Sequence, residues 1–246
     1  MLSASNIPTP SHSTDYSEPT TVLLLPAFVI IDNVTPAAAP ALVESYINAA
    51  PTNRSPLVPV ALPRSLAPAP ATAGTVPPPP PPGLASRACP HRALILLCSQ
   101  KTRDARCGQS APLLRKELER HLRPLGLHRD LDDERPGGVG VYFISHVGGH
   151  KYSANVMVYR RPDAFGLDGV ERGKAAEGTP MPRPYKAGAA AGEGDDVGAA
   201  QCIWLARVRP EDCENLVRYT VLQGKVVKPE RQLRGGFDRG KGLLSW

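Results

Sequence analysis

The stretch ALILLCSQKTRDARCGQSAPLLRKELERHLRPLG, residues 93–126, decides the reading of the fold. Its first five residues, Ala93–Leu97, form an unbroken apolar run that ends at Cys98. A run of that length, bounded by polar sequence, is expected of a buried strand. The polar loop SQKTRDARCG (99–108) comes next. Ser110 then reads as an N-cap and Pro112 suits a first helical turn. Leu114, Leu118, Leu122 and Leu125 recur at helical spacing as far as Gly126, a helix stop. The segment is therefore a strand–loop–helix unit with two cysteines, Cys98 and Cys107, in or beside its connection.

Downstream, VGVYFIS (139–145), ANVMVY (154–159) and CIWLARV (202–208) read as three further strands. Pro210, Glu211 and Asp212 open a second helix, running to about Leu222, where acidic residues suit the positive N-terminal end. Residues 161–199, centred on GTPMPRPYKAGAAAGEGDD, read as a flexible low-complexity insertion. The order β-α-β-β-β-α predicts the α/β class, and helices on a small mixed sheet in this order suit a thioredoxin-like fold.

Upstream, residues 1–20 are polar, rich in Ser, Thr and Pro, and expected to be disordered. Within residues 21–49, VLLLPAFVII (22–31) suggests a buried strand and APALVESYINA (39–49) a short helix. Residues 50–88 read as a Pro-rich disordered linker ahead of a domain spanning 89–246, and the linker includes the hexaproline Pro77–Pro82. Such a run favours polyproline II, either as a semi-rigid spacer or as a ligand for a polyproline-reading protein.

Composition narrows the function. The formal charge is +6, and no basic residue precedes Arg54. Basic and aromatic residues are not interleaved as on an RNA platform, and no helix-turn-helix or zinc-finger spacing occurs, so nucleic acid is not the expected partner. The apolar run Thr21–Ile31 is too short to span a bilayer and lacks a basic flank. With five cysteines, an odd count, the chain does not read as a secreted disulfide framework, and the expected location is cytoplasmic.

The candidate ligands are Cys98, Cys107, His146 and His150. A thiolate at a helix N-terminus is favoured by the dipole, and the thiolate is the form that binds metal. Gly148 and Gly149 separate the two histidines, which argues for a turn that could aim both imidazoles at one point. The C-x8-C spacing is poor for structural zinc, and no C-x-x-C pair is present. From the residues alone an iron–sulfur cluster, a zinc-stabilised binding module and a thiol-dependent redox enzyme all remain open. Cys202 and Cys213 read as inert, Cys89 as an exposed thiol, and His91, His121 and His128 as surface residues. Lys101, Arg103, Asp104 and Arg106 crowd the first ligand loop, where they could tune the site or dock an acidic redox partner.

ALILLCSQKTRDARCGQSAPLLRKELE (93–119), HVGGHKYSANVMVY (146–159) and WLARVRPEDCENLV (204–217) together resemble the sucrase/ferredoxin-like family over roughly residues 91–246. The resemblance implies a thioredoxin-like ferredoxin holding a [2Fe-2S] cluster through Cys98, Cys107, His146 and His150, with one-electron transfer or redox sensing as its function. It further implies links to oxidative stress tolerance and actin-patch organisation. VLLLPAFVIIDNV (22–34) resembles the end of an upstream half in longer members, so residues 21–49 read as its remnant. Leu244, Ser245 and Trp246 are similar to the tripeptide by which the cytosolic iron–sulfur assembly targeting complex recognises its clients. A site with two thiolates and two neutral imidazoles is less negative than a four-thiolate site. Its expected potential therefore lies above that of plant-type ferredoxins. Imidazole N–H groups in reach of water would couple reduction to protonation, giving a pH-dependent one-electron carrier. No paired-carboxylate glycosidase site supports the word "sucrase".

Overall fold

A computed structural model describes residues 1–13, 15, 17–67, 83–145, 147, 150–169, 182 and 196–244. The hexaproline Pro77–Pro82, His146, most of the 161–199 insertion, Ser245 and Trp246 lie outside the described residues.

The protein is mixed α/β, built on two sheets. The smaller sheet contains β1 (Thr20–Leu24), β2 (Val29–Val34), β3 (Ser65–Leu66) and β4 (Leu84–Ala88), all antiparallel, in the order β1-β2-β4-β3. VLLLPAFVII is thus a hairpin rather than one strand. The chain turns at Leu25–Phe28, where Pro26 removes a ladder donor and Phe28 takes a positive φ of 58°. β4 lies inside the stretch read as linker. It pairs with β2 through its backbone, a route that composition does not reveal. A helical segment follows β2 in three consecutive pieces, Pro36–Ala38, α1 (Ala39–Leu42) and Val43–Ile47, and is capped by the Thr35 hydroxyl accepting from the Ala38 N–H.

The larger sheet has six strands: β5 (Ala93–Cys98), β6 (His128–Arg129), β7 (Val139–Ile144), β8 (Val156–Arg160), β9 (Gln201–Leu205) and β10 (Leu233–Asp238). Their order is β10-β9-β8-β5-β7-β6. β5, β7 and β6 run parallel, whereas β8 is antiparallel to β5, β9 to β8 and β10 to β9. α2 (Ala105–Leu122) follows β5 and leads into β6. The helical stretch after β9 is continuous from Pro210 to Val221 through α3 (Cys213–Asn215), and α4 (Pro229–Gln232) leads into β10. β10 escaped the sequence reading because LRGGFD has no apolar alternation, and Gly235 and Gly236 sit at φ of 156° and 144°, where other residues rarely go.

Alternation along β5 separates two cores. Ile95 and Leu97 face α2 and the C-terminal helices, among Leu114, Leu118, Leu122, Val217 and Val221. Leu94, Leu96 and Cys98 face the smaller sheet, among Phe28, Ile30, Tyr142, Ile144 and Cys107. The outer face of the smaller sheet closes against Leu42 and Tyr46. Two arginines tie the layers together. Arg161 donates to the His91 and Cys89 carbonyls (3.0 and 2.9 Å), pairs with Asp196 and lies over the Phe28 ring. Arg239 donates to the carbonyls of Ser55, Pro56, Val197 and Ala199.

Residues 4–6, within the segment expected to be disordered, lie along the far end of β7. Ser145 N–H donates to the Ala4 carbonyl (2.8 Å) and Phe143 N–H to Asn6 Oδ1 (2.8 Å). Backbone groups and the Asn6 amide carry this pairing, so three residues without periodicity could not announce it.

His91, expected at the surface, is 2 % exposed, and its Nε2 lies 3.0 Å from the Tyr142 hydroxyl. Burial, then the charge of Arg129, pushes its pKa down to about 4. Between about pH 6.5 and that value the unfolded chain binds a proton that the folded one refuses, so stability falls as the pH falls through this window, by about 3 kcal/mol in all. Urea unfolding at pH 7 and pH 4.5 should show this loss, and His91→Gln should remove it. An equal acid loss in both proteins would count against His91 as its source.

Candidate metal centre

Cys98 is the last residue of β5, opposite Ile144 at the end of β7. Cys107 sits in the first turn of α2. The helix begins earlier than the Ser110 cap expected from sequence, because the Asp104 carboxylate already accepts from the Arg106 N–H at 2.9 Å. Ser110 instead returns its hydroxyl to the Arg106 carbonyl, and Pro112 lies in the helix interior, leaving the Gly108 carbonyl without its usual donor. The earlier start places Cys107 in the first turn, at the positive end of the helix dipole.

The two sulfurs are 3.7 Å apart. A disulfide needs about 2.05 Å, so the thiols are unbridged. Two thiolates bound to one tetrahedral ion with bonds of about 2.3 Å lie roughly 3.7–3.8 Å apart. The pair is thus already at the edge length of a metal tetrahedron. Both cysteines are sealed from solvent. Burial pushes the Cys98 thiol up to about 11, with the Cys107 sulfur adding, while backbone N–H groups of Val147 and Gln100 pull it down.

The loop bearing the histidines is anchored to these sulfurs. Cys98 Sγ donates to the Ser145 carbonyl (3.2 Å), and Cys107 Sγ lies 3.3 Å from Ser153 Oγ. Ser145 directly precedes His146, Ser153 comes three residues after His150, and Val147, whose N–H meets Cys98, lies between the two histidines. His146 and the His150 side chain lie outside the described residues; the backbone of His150 opens a short helical turn, His150–Tyr152. Among the described residues no group of three or more His, Cys, Asp or Glu is gathered as for a metal. The roles of Ser145, Ser153 and Val147 were not legible in the sequence, where only their place beside the histidines could have pointed to them.

The other candidates divide. Cys202 and Cys213 are buried, as expected, and burial raises both thiols to about 12. Cys89 is not an exposed thiol: it is 3 % exposed, because its N–H bonds to the Phe28 carbonyl and its side chain enters the core between the sheets. His128 is likewise buried, beside Glu119. In the first ligand loop Arg106 is paired with Asp104 at 2.7 Å, and Lys101 packs against Gly108. Leu244 packs against the core cluster that contains the two cysteines. Among the described residues, no helix is long and apolar enough to cross a membrane.

A family model described as Sucrase/ferredoxin-like matches residues 1–235. The chain is 50 % identical over 70 residues to Actin patches distal protein 1 of Saccharomyces cerevisiae, covering 28 % of this chain and 22 % of that protein. It is 29 % identical over 138 residues to Altered inheritance of mitochondria protein 32 of Clavispora lusitaniae, covering 56 % of this chain and 33 % of the relative. Against the protein of the same name from Debaryomyces hansenii the identity is 30 % over 135 residues, covering 55 % and 33 %. The chain thus spans a third or less of the length of these curated relatives. No solved structure matches it.

Proposed function

The chain belongs to the sucrase/ferredoxin-like family, and on that premise we propose that it is a thioredoxin-like ferredoxin that binds a [2Fe-2S] cluster through Cys98, Cys107, His146 and His150. The observation that carries this reading is the 3.7 Å spacing of the two buried sulfurs, together with the anchoring of both ends of the histidine loop to them. The arrangement of β7, β5, β8 and β9, with the first two parallel and the others antiparallel, supports the thioredoxin-like assignment.

Bound there, the cluster would supply reversible one-electron chemistry. The protein's own part is electrostatic and steric. Val147 and Gln100 N–H groups face the Cys98 sulfur and favour the added negative charge of reduction, while the packed core keeps bulk water away. The family setting suggests a redox carrier or sensor of the cytosol. The names of the relatives refer to actin patches and to mitochondrial inheritance. Docking of the hexaproline with a polyproline-reading protein, and of Leu244, Ser245 and Trp246 with the assembly targeting complex, belongs to the same proposal.

The test is metal and sulfide analysis with EPR on anaerobically reconstituted, dithionite-reduced protein. Iron and acid-labile sulfide in equal amounts, with a rhombic signal of low average g that changes in His146→Cys or His150→Cys, is the expected result. Zinc without sulfide, or no metal at all, would overturn the cluster and turn attention to a zinc-held binding module.

A further inference from the structure

A second group of residues gathers beside the histidine loop without taking part in the metal centre. The ring of Tyr152, two residues beyond His150, is met by three cations: Arg234 at 4.0 Å from the ring centroid, Lys151 at 5.0 Å and Arg207 at 5.1 Å. Arg234 also lies over Trp204, at 5.5 Å. All three cations are exposed, and none is paired with a carboxylate among the described residues. Like charges crowded round one ring repel each other, and the quadrupole of the ring only partly offsets this.

Two backbone irregularities create the group. The ladder between β9 and β10 slips between Leu233 and Gly235, so Arg234 is the extra residue of a bulge, a device that re-aims a side chain. Arg207 has a φ of 53°, in the left-handed region that a long side chain avoids, and its N–H is bonded to the Tyr152 carbonyl at 2.9 Å. Glycine would fit Arg207's backbone better. The chain holds an arginine there, and that arginine faces the same ring as the bulged one.

We propose that Lys151, Arg207 and Arg234, gathered around Tyr152, form the docking surface for an acidic redox protein. The inference rests on the electron-carrier reading for its biological sense, but not for the binding itself. Unpaired cations steer an anionic partner and set its orientation. Ser153, next to Tyr152, touches the Cys107 sulfur, so a partner seated on this ring would be brought up to the metal centre.

The probe is cytochrome b5, a soluble acidic haem protein, titrated calorimetrically into the full chain. Binding to wild type should weaken at least ~10-fold as ionic strength rises from about 0.02 to 0.2 M. It should weaken to a similar degree in Lys151→Gln/Arg207→Gly/Arg234→Gln. Removing the same charge elsewhere, from the exposed side of α2 with Lys116→Gln/Arg120→Gln/Arg123→Gln, should change affinity by less than about 3-fold. Arg207→Gly alone should weaken binding while melting at or above the wild-type temperature, because it relaxes the left-handed backbone. Arg207→Lys should retain binding. Unchanged affinity in the first variant, an equal loss in the α2 variant, a joint fall of affinity and melting temperature in Arg207→Gly, or no binding to wild type at low salt overturns the proposal. Iron and sulfide measured on the same samples report separately on the cluster. Metal-free protein that binds the probe keeps the surface and defeats the carrier reading, and loaded protein that ignores the probe does the reverse.

Discussion

Cys107→Ser is expected to leave the protein folded and to cut the iron it retains by more than ~10-fold, since changes merely next to metal ligands already cost about 10–100-fold. The Cys107 sulfur is one of two that stand 3.7 Å apart in a sealed core. Serine keeps the shape and finds Ser153 Oγ close by, so the loss of fold stability should stay near ~1 kcal/mol. Cys202→Ser is the matched control. It replaces an equally buried thiol in β9, near Tyr159 and away from the pair, and should cost stability without costing iron. Iron per chain by plasma emission, with thermal melts of the same samples, decides the matter. Equal iron in Cys107→Ser and wild type would remove Cys107 from the ligand set.

The largest stability effect is expected from Arg160→Met. Arg160 is 2 % exposed at the end of β8 and donates to the Val221 carbonyl (2.7 Å), the Leu222 carbonyl (3.2 Å) and Gln201 Oε1 (3.1 Å), besides pairing with Asp168. Its head thus joins the sheet, the C-terminal helix and the segment after β8. Methionine fills the stem volume but strands an amide oxygen and two carbonyls. Breaking a buried charge network of this kind costs about 3–5 kcal/mol. For a chain of this size that lowers the melting temperature by roughly 10 °C. A fall of less than about 2 °C would mean that the network is redundant. Gly224 belongs to the same arrangement, because a Cβ there would meet the Arg160 guanidinium at 2.3 Å and the residue already has a φ of 67°.

The centre of the fold was legible because its strands are continuous apolar runs. ALILLC, VGVYFI and VMVYR each show up as β5, β7 and β8 within a residue or two, and the leucine spacing of α2 marks its buried face. The reading failed where local chemistry competes. Asp104 outcompetes Ser110 as a cap because it stands nearly two turns earlier with a charged acceptor. Pro26 turns an apolar run that composition alone reads straight through. β10 and residues 4–6 are held by backbone pairing that leaves no hydrophobic period. The cysteines could be assigned to one connection from sequence, but their sulfur spacing depends on where the helix starts and on how Ser145 and Ser153 meet the two sulfurs. Both are tertiary outcomes. Burial of Cys89 and His91 is tertiary in the same way: Cys89 enters the core with Phe28 and Ile30 of the smaller sheet, and His91 meets the Tyr142 hydroxyl of β7.

Ser145 holds three things at once. Its N–H donates to the Ala4 carbonyl, its hydroxyl lies 2.9 Å from that of Ser3, and its own carbonyl accepts from the Cys98 thiol. Mechanically, the first residues of the chain are therefore in series with the sulfur pair, with a single residue as the link. A pull on residues 3–6, or their removal, acts on the site like slack or tension on a drawstring, although those residues stand more than ninety positions away from Cys98 in sequence.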